Sequence, residues 1–288
     1  MRTGARDGKP TLYVVATPIG NLKDITFRAI EVLKEVDVIA AEDTRVTATL
    51  LNHYGIASKK LVSLHAHNEQ RTAPHVIAQL EAGRSVALTS DAGTPAFSDP
   101  GARLVATVRD AGYPVVPVPG PNAAAAALSA SGLADPHFLF YGFLPSKGAE
   151  RRKAAEALER IPYTLLFYEA PHRVLETIAD LAAILGGSRK IVIARELTKL
   201  FETIHTCRLD QAEQWLNADA NRVKGEFVLI VEGAQPDKAG RQVEAERTLA
   251  VLLEELPVKQ AAALAARITG ARKNELYQLA LSIKKRDE

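Results

Sequence analysis

The chain has 288 residues, of which 47% are hydrophobic and 6% aromatic, so it is long enough for two domains with cores mainly of Ala, Val, Leu and Ile. Its single cysteine, Cys207, excludes an internal disulfide, and without a membrane-spanning apolar run or a signal-peptide pattern we expect a cytoplasmic protein with no membrane contact. The net charge of +2 is unevenly distributed, because residues 257–286 carry seven basic side chains and one acid.

Residues 11–120 alternate strand-like apolar runs with helical patterns. Leu12–Ala16 precedes a helical stretch that starts near Thr26, and Val36–Asp43 is a second strand that ends in two acids, followed by a helix over Thr44–Tyr54. Continued βαβ alternation predicts a mostly parallel sheet with helices on both faces. The last strand of this part, YPVVPVPG, is so rich in proline that we expect it at a sheet edge or beside a ligand.

Two turns in this part have the composition of ligand-binding loops. TPIGNLKDIT spans Thr17–Thr26 and SDAGTPAFSDPG spans Ser90–Gly101, and each follows an apolar strand and leads into a helix. This order places a ligand at the carboxyl ends of the strands in an open α/β sheet. Small residues let the backbone approach that ligand, and free N–H groups at a helix start supply hydrogen-bond donors.

Residues 121–233 are predicted to form a second α/β lobe, which begins with a helix capped by Asn122 in PGPNA. Its predicted strands lie near Phe138–Phe143, Tyr163–Tyr168, Arg189–Arg195, Phe201–Arg208 and Glu226–Glu232, with helices near Lys147–Arg160, His172–Leu185 and Gln211–Ala218. The strands on either side of Lys199 are separated by few residues, so they should pair as an antiparallel hairpin. The second sheet is therefore expected to be mixed.

Residues 242–288 are predicted to form a small helical unit after a linker over Gly233–Arg241. A turn at Thr269-Gly270 separates two helical patterns, which fits a helix-turn-helix and fits a plain helical hairpin equally well. The excess of basic residues favours a polyanionic partner, with a merely solvated surface as the alternative. The expected packing seam consists of Leu264, Ile268, Leu276 and Leu279.

The sequence lacks the motifs of several common kinds of binding and catalytic site. The first turn has one glycine where a dinucleotide site needs three, and GARDGKP is one residue short of a phosphate-binding P-loop. His65 and His67 share one face of a strand, but no other ligand-type residues accompany them, so no metal is expected. No nucleophile elbow is present, and Cys207 lies within a strand pattern.

The turns that follow the strands can together line one cleft. They are TPIGNL, SDAGTP, PGPN, YEAP and RELTK. Backbone N–H and C=O groups can form hydrogen bonds with an adenine ring, and a carboxylate such as Asp91 can bind a ribose hydroxyl or an amine. A phosphate-bearing ligand fits less well, because these loops carry acids and few basic residues. The sequence therefore favours a cofactor that contains adenosine.

The order of these motifs resembles the tetrapyrrole-methylase-like superfamily. The matching motifs are TPIGNLKDITFRA, AEDTR, SDAGTPAFSDPG, VPVPGPNA, FYGFLP, FYEAPHR, ARELTK and GEFVLIVEG, which cover about residues 11–233. Within the superfamily, the set is most similar to the bacterial enzymes that methylate the 2′-hydroxyl of cytidine 1402 in 16S rRNA. Those enzymes also carry a small helical extension at the C-terminus.

The resemblance implies a fold, a cofactor and a substrate. Two α/β lobes, unlike the single sheet of Rossmann-type methyltransferases, would hold S-adenosylmethionine in the cleft between them, and the protein would be a homodimer that acts on 16S rRNA of the small ribosomal subunit. The residues that the resemblance assigns to the cofactor are Pro18, Ile19, Gly20, Asp91, Gly93, Thr94, Pro95, Ser98, Asp99, Asn122, Ala123, Tyr168, Glu169, Glu196, Leu197, Gly225 and Glu226.

Methylation of a ribose hydroxyl requires a proton acceptor or a field that favours the alkoxide. We favour a carboxylate of the AEDTR motif, Glu42 or Asp43, with Arg45 holding a phosphate of the RNA. The alternative is that this motif only caps the helix that follows it. The residues expected to contact RNA are Arg151, Arg152, Lys153, Arg195, Lys199, Arg272 and Lys273.

Two other functions remain open at this point. One is a methylase of the same fold that acts on a small tetrapyrrole, which the basic C-terminal unit argues against. The other is a nonenzymatic RNA-binding protein that has kept the fold, and failure to bind S-adenosylmethionine would identify it.

Overall fold

The computed structural model describes residues 9–57, 59–235 and 238–287. Residues up to Ala234 form one compact unit, and those from Gln235 onward form a second unit. The first unit contains two β-sheets of five strands each. Each sheet with its helices is called a lobe below, and the second unit is called the C-terminal unit.

The first lobe is a parallel sheet in the order β3-β2-β4-β1-β5. The proline-containing strand β5 lies at its edge, as the sequence predicts. The strands are β1 (Leu12–Val15), β2 (Val38–Ala41), β3 (Lys60–Ser63), β4 (Val86–Thr89) and β5 (Val115–Val118), and the helices are α1 (Phe27–Glu35), α2 (Thr44–His53), α3 (Glu69–Glu81) and α4 (Ala102–Asp110).

Helices cover both faces of this sheet, because its central strands are apolar on both sides. All residues of β2 and β4 are buried. Helices α1 and α2 supply the core on one face, and α3 and α4 supply it on the other. Side-chain caps from Thr26 and Asp43 start α1 and α2, which fixes where each loop ends.

The second lobe is a mixed sheet in the order β6-β7-β10-β8-β9. Only β6 and β7 are parallel, and β8 and β9 form the predicted antiparallel hairpin around Lys199. The strands are β6 (Phe138–Phe143), β7 (Thr164–Glu169), β8 (Lys190–Arg195), β9 (Thr203–Arg208) and β10 (Phe227–Val231), and the helices are α5 (Ala123–Ala130), α6 (Gly148–Glu156), α7 (Val174–Leu185) and α8 (Leu209–Asn217).

The two faces of the second sheet have different coverings. Helices α6, α7 and α8 pack on one face around Phe167. The other face packs against α5 and against residues of the first lobe, including Ile19. The predicted N-cap Asn122 accepts a hydrogen bond from the Ala125 N–H at 3.1 Å and starts α5 at the junction of the lobes.

The C-terminal unit consists of three helices, α9 (Lys238–Glu255), α10 (Val258–Thr269) and α11 (Lys273–Asp287). Gly270 ends α10 in the left-handed conformation, with φ at 72°. The side chains of Lys284, Lys285 and Arg286, which contribute to the basic charge of this unit, lie outside the part that the structure describes.

The packing seam predicted for the C-terminal unit is half wrong. Leu276 is buried and Leu279 packs beside it, but Leu264 and Ile268 are 36% and 61% exposed. The core between the helices is instead made by alanines of α10, with Ala261 and Ala265 fully buried. Small side chains let helix axes approach closely, so the alanine face of α10 turns inward towards Leu249 and Leu276, and Leu264 and Ile268 stay on its outer side.

Candidate functional site

One cavity of about 340 Å³ lies between the lobes, where loops at the carboxyl ends of the first sheet face the second sheet. This volume is typical of a pocket for a small organic ligand. The residues that line it are Ile19, Glu42, Asp91, Ala92, Gly93, Thr94, Phe97, Asp99, Asn122, Ala123, Phe143, Tyr168, Glu169, Ala170, Pro171, Ala194, Leu197, Glu226, Phe227 and Val228.

The two Gly- and Pro-rich loops of the first lobe are tied together beside the cavity. Thr17 and Gly93 exchange backbone hydrogen bonds of 2.8 and 3.0 Å. Gly93 has φ at 84°, and a Cβ at this position would lie 3.4 Å from the Ile19 side chain. The left-handed φ is the reason for a glycine here, because residues with a Cβ rarely adopt it, and the missing side chain leaves the backbone of Gly93 bare at the cavity wall.

A buried acid that the sequence analysis missed holds the far end of the SDAGTPAFSDPG loop. The Glu69 Oε1 atom, on α3, accepts hydrogen bonds from the backbone N–H groups of Gly101 and Leu104, both at 3.0 Å. These are free donors at the start of α4, so Glu69 caps that helix from a neighbouring helix. Its spacing from the loop in sequence gives no local signal of this role.

Backbone strain is concentrated in the loops around this cavity. Among the described residues other than glycine, those with positive φ are Ala96, Ser98, Glu196 and Thr198, at 51–67°. The first pair lies in the SDAGTPAFSDPG loop and the second in the RELTK loop. Such conformations cost energy and persist where surrounding contacts enforce them, which is common at binding sites.

Three carboxylates line the first-lobe side of the cavity: Glu42, Asp91 and Asp99. The Asp91 Oδ1 atom accepts a hydrogen bond from the Asp43 N–H at 2.9 Å, and the Glu42 Oε2 atom accepts one from the Asp91 N–H at 3.3 Å. These bonds connect the end of β2 with the loop after β4. They hold two acids of neighbouring strands at one edge of the sheet.

Burial raises the pKa of two of these acids, Glu42 and Asp99. For Glu42, the nearby charges of Asp91 and Asp43 raise the pKa further. Burial raises the pKa of Asp99 to about 6, where the charge of Glu42 adds to the effect and a hydrogen bond from Ser90 opposes it. None of the lining residues is Lys or Arg, so the wall suits a cationic ligand.

Asp43 and Arg45 are not brought to the cavity wall. Both oxygens of Asp43 are bound by the Arg45 side chain, at 2.6–3.2 Å, and Asp43 also caps α2. The Arg45 hydrogen bonds lower the pKa of Asp43 to about 2. Of the two acids of the AEDTR motif, Glu42 alone lines the cavity, and Asp43 has the capping role that the alternative interpretation gave it.

The second lobe contributes aromatic and apolar residues to the wall. The Tyr168 hydroxyl accepts a hydrogen bond from the Ala124 N–H at 3.3 Å, which links β7 to the start of α5, and burial raises the pKa of Tyr168 to about 12. The carboxylate of Glu169 is buried and bound by Arg173 and Thr177. Both oxygens of the Glu169 carboxylate therefore already have hydrogen-bond partners within the second lobe.

The RELTK loop packs directly on the TPIGN loop. A Cβ at Gly20 would lie 2.5 Å from the Lys199 Cγ atom. The Lys199 Nζ atom binds Glu196 at 2.9 Å and Glu226 at 3.0 Å, so this predicted RNA contact is already paired. A Cβ at Gly225 would meet the Glu196 side chain at 2.4 Å. The contact of Gly20 with Lys199 joins the two lobes, and that of Gly225 with Glu196 packs two loops of the second lobe together.

Eleven of the seventeen residues predicted to bind a cofactor line the cavity. The other six, which lie beside them in the same loops, are Pro18, Gly20, Pro95, Ser98, Glu196 and Gly225. The sequence analysis did not assign six further lining residues to the cofactor, although each lies within a quoted motif: Ala92, Ala170, Pro171, Ala194, Phe227 and Val228. Phe97 and Phe143 add two more aromatic rings to the wall, beside Tyr168 and Phe227.

The structure corrects two of the predicted RNA contacts. Arg151 is 3% exposed and binds Asp180 and Glu176 at 2.6 and 3.1 Å. Arg195 is also buried and donates to the backbone oxygens of Lys224 and Phe201. Both guanidinium groups satisfy partners inside the fold, so neither is available to a polyanion.

The remaining predicted RNA contacts lie on the surface. Arg152 and Lys153 are exposed on α6, and Arg272 and Lys273 are exposed at the start of α11. Within the described residues, no group of His, Cys, Asp and Glu has the arrangement of a metal site. No helix in the described ranges combines the length and apolarity needed to span a membrane.

Two family profiles match the chain. Residues 11–213 match the family of tetrapyrrole (corrin/porphyrin) methylases, and residues 239–284 match the RsmI C-terminal HTH domain. The ribosomal RNA small subunit methyltransferase I of Escherichia coli O157:H7 is 54% identical over 277 residues, which is 96% of each chain. The protein of the same name from Pseudomonas aeruginosa is 52% identical over 273 residues, 94% of this chain and 96% of that one.

Solved structures share the fold at low sequence identity. The methyltransferase CobJ is 20% identical, with a TM-score of 0.59 over 78% of this chain and 95% of that chain. Uroporphyrin-III C-methyltransferase of Thermus thermophilus, crystallised with S-adenosyl homocysteine, is 19% identical, with a TM-score of 0.54 over 77% of this chain and 97% of that chain. Both matches cover the greater part of the chain and support the two-lobed architecture.

Proposed function

The chain belongs to the tetrapyrrole (corrin/porphyrin) methylase family and is a methyltransferase, and from this premise we propose that it methylates RNA of the small ribosomal subunit. The relatives that share about half of its residues along nearly the whole chain are named for that activity. In finer terms, we propose the ribose 2′-hydroxyl of cytidine 1402 in 16S rRNA as the acceptor, and a cytoplasmic homodimer as the working form.

The observation that carries this proposal is the acidic cavity at the carboxyl ends of the first sheet. S-adenosylmethionine carries a sulfonium and an amino group, and Glu42, Asp91 and Asp99 offer it negative charge without a competing Lys or Arg in the wall. Apolar side chains such as Ile19 and Leu197 cover its other surfaces. A protein of this fold was crystallised with S-adenosyl homocysteine, and we extend that ligand class to this chain.

S-adenosylmethionine, when bound, supplies an activated methyl group for in-line transfer to a nucleophile. The protein must then hold the acceptor hydroxyl in line, keep water out and remove one proton. We propose that Glu42 takes this proton, because it lines the cavity and burial raises its pKa. A carboxylate with raised pKa is a stronger base than an ordinary glutamate, which suits Glu42 to accept a proton.

The exposed arginines and lysines of each unit would hold the phosphates of the RNA. We retain Arg152, Lys153, Arg272 and Lys273 for this role, since their side chains are exposed. Each phosphate contact that is neutralised adds to the salt dependence of binding. RNA affinity should therefore fall steeply with salt and fall less steeply when these residues are replaced.

Methyl transfer to unmethylated small ribosomal subunits tests the proposal. The purified full chain is incubated with subunits and S-adenosylmethionine that carries a labelled methyl group. The position of the labelled nucleotide is mapped, and the nucleotide is then hydrolysed to separate its base from its ribose. We expect one label per subunit, on the ribose of one cytidine. Label on the base would overturn the 2′-hydroxyl assignment, and transfer only to a tetrapyrrole would overturn the RNA substrate.

A further inference from the structure

Strand β6 contains a bulge that changes which face its last residue occupies. Phe140 pairs with Leu166 of β7, and Gly142 pairs with the next residue of that strand, so Tyr141 is the extra residue. Phe143 then lies opposite Tyr168. In an unbroken strand, residues three apart point to opposite faces, but the bulge places Phe140 and Phe143 on the same face. That face borders the cavity.

The bulge depends on a glycine that touches the other lobe. Gly142 has φ at 80°, and a Cβ there would lie 2.5 Å from the Ser98 Oγ atom. Ser98 is itself one of the strained residues of the SDAGTPAFSDPG loop. The bulge that directs Phe143 therefore lies at a close approach of the two lobes, and bulges that re-aim a side chain recur beside active sites.

Phe143 is the exposed end of a cluster of aromatic rings. Phe97 stacks on Phe140 with ring centres 4.2 Å apart, Phe140 meets the edge of Tyr168 at 5.0 Å, and Tyr168 meets Phe143 at 5.6 Å with a 64° angle between the rings. The first three rings are partly buried, whereas Phe143 is 54% exposed. The cluster thus presents one supported aromatic ring at the opening of the cavity.

We propose that Phe143 is the surface on which the base of the target nucleotide stacks, an inference that rests on the proposed RNA substrate. A small cofactor buries most of its surface and needs the enclosed part of the cavity. The half-exposed ring remains accessible to a macromolecule. Proteins that recognise single-stranded RNA stack its splayed bases on aromatic side chains, which replaces the lost base stacking.

Strand β6 itself provides the matched control. Phe138 is 53% exposed, almost the same as Phe143, but it lies at the other end of the strand and does not line the cavity. Phe138→Ala and Phe143→Ala thus remove the same side chain from the same strand at equal exposure. Phe143→Trp keeps an aromatic face, and Phe143→Leu keeps apolar volume without one.

The experiment measures KM for unmethylated small subunits, kcat, and the Kd of S-adenosylmethionine for these variants. We expect Phe143→Ala to lower kcat/KM for the subunit roughly 5- to 100-fold, as loss of one base–aromatic stack does, while the cofactor Kd stays within about twofold of the wild type, which also shows that the variant is folded. Phe143→Trp should recover most of the loss. Phe143→Leu should be as impaired as Phe143→Ala. Phe138→Ala should behave like the wild type.

Three outcomes would overturn the inference. Equal activity of Phe143→Ala and Phe138→Ala would show that the ring has no special role. Full activity of Phe143→Leu would reduce the role to apolar packing, and a parallel loss of cofactor affinity would assign the ring to the cofactor. In each of these cases the wild-type protein would still methylate the subunit, so the proposed function would be unaffected. If the wild-type protein did not methylate the subunit, the proposed function itself would be wrong.

Discussion

The acidic residues on the two sides of the cavity differ in whether they form an ion pair with a lysine or arginine side chain. On the second-lobe side, Glu169 pairs with Arg173, and Glu196 and Glu226 pair with Lys199. On the first-lobe side, Glu42, Asp91 and Asp99 form no ion pair with any residue that the structure describes. Because a paired carboxylate is already neutralised, its role is structural, while the acids without a cationic partner can attract a ligand or accept a proton.

The largest expected effect comes from Glu42. Glu42→Gln should lower kcat by about 10²- to 10⁴-fold, the usual contribution of a positioned base, and should change the Kd of S-adenosylmethionine by a far smaller factor. In the wild type, kcat should increase with pH through the pKa of Glu42, which burial raises, because only the ionised carboxylate accepts a proton. Single-turnover methyl transfer measures both effects.

Asp43→Asn is the control for this variant, because Asp43 is the neighbouring acid but is bound by Arg45 outside the cavity. It should retain most of the turnover. If Asp43→Asn lost turnover and Glu42→Gln did not, the proton acceptor would be Asp43 and the comparison between paired and unpaired acids would fail.

The second lobe should respond to charge removal through stability. Arg151→Ala leaves Asp180 without its main partner, so it should lower the free energy of unfolding by about 3 kcal/mol. Arg152→Ala, at the adjacent and half-exposed position, should change it by less than about 0.5 kcal/mol. Urea denaturation measures both values, and a stable Arg151→Ala protein with reduced RNA affinity would show that Arg151 contacts RNA after all.

A smaller effect is expected for cofactor binding at Asp91. Asp91→Ala should raise the Kd of S-adenosylmethionine roughly 10- to 100-fold, as loss of a charged hydrogen-bond acceptor does. Glu226→Ala, which removes a cavity acid that is paired with Lys199, should change it much less. Titration calorimetry compares the two directly, and equal effects would mean that pairing does not distinguish the two walls.

The smallest effect concerns stability and pH at Asp99. Its pKa is raised to about 6 in the fold, so the folded state holds a proton that the unfolded chain has lost, and this group makes the protein less stable as pH rises from about 4 to 6. Asp99→Asn should therefore raise Tm by roughly 2–4 °C above pH 6, after allowance for partial exposure, and by less near pH 4. An unchanged difference across this range would refute the assignment.

The sequence was informative where one local signal decides the structure. Apolar runs bounded by Gly and Pro located the strands, and the loops after them lie at the cavity because carboxyl ends of parallel strands share one edge. The burial of Arg151 was not predictable, since its partners Asp180 and Glu176 lie on another helix. The same applies to the bulge at Tyr141, which depends on pairing with β7 and on Ser98 of the other lobe.

The apolar cluster behind the cavity joins Ile19 and Phe97 of the first lobe to Leu166 and Val192 of the second. Neither sheet can separate from the other without exposing this shared core to water, so the lobes should melt in one cooperative step. A ligand held between them then stabilises both by mass action. In native-state hydrogen exchange, the amides of β1 and of β10 should gain protection together when S-adenosylmethionine is added, although only their loops touch the cavity.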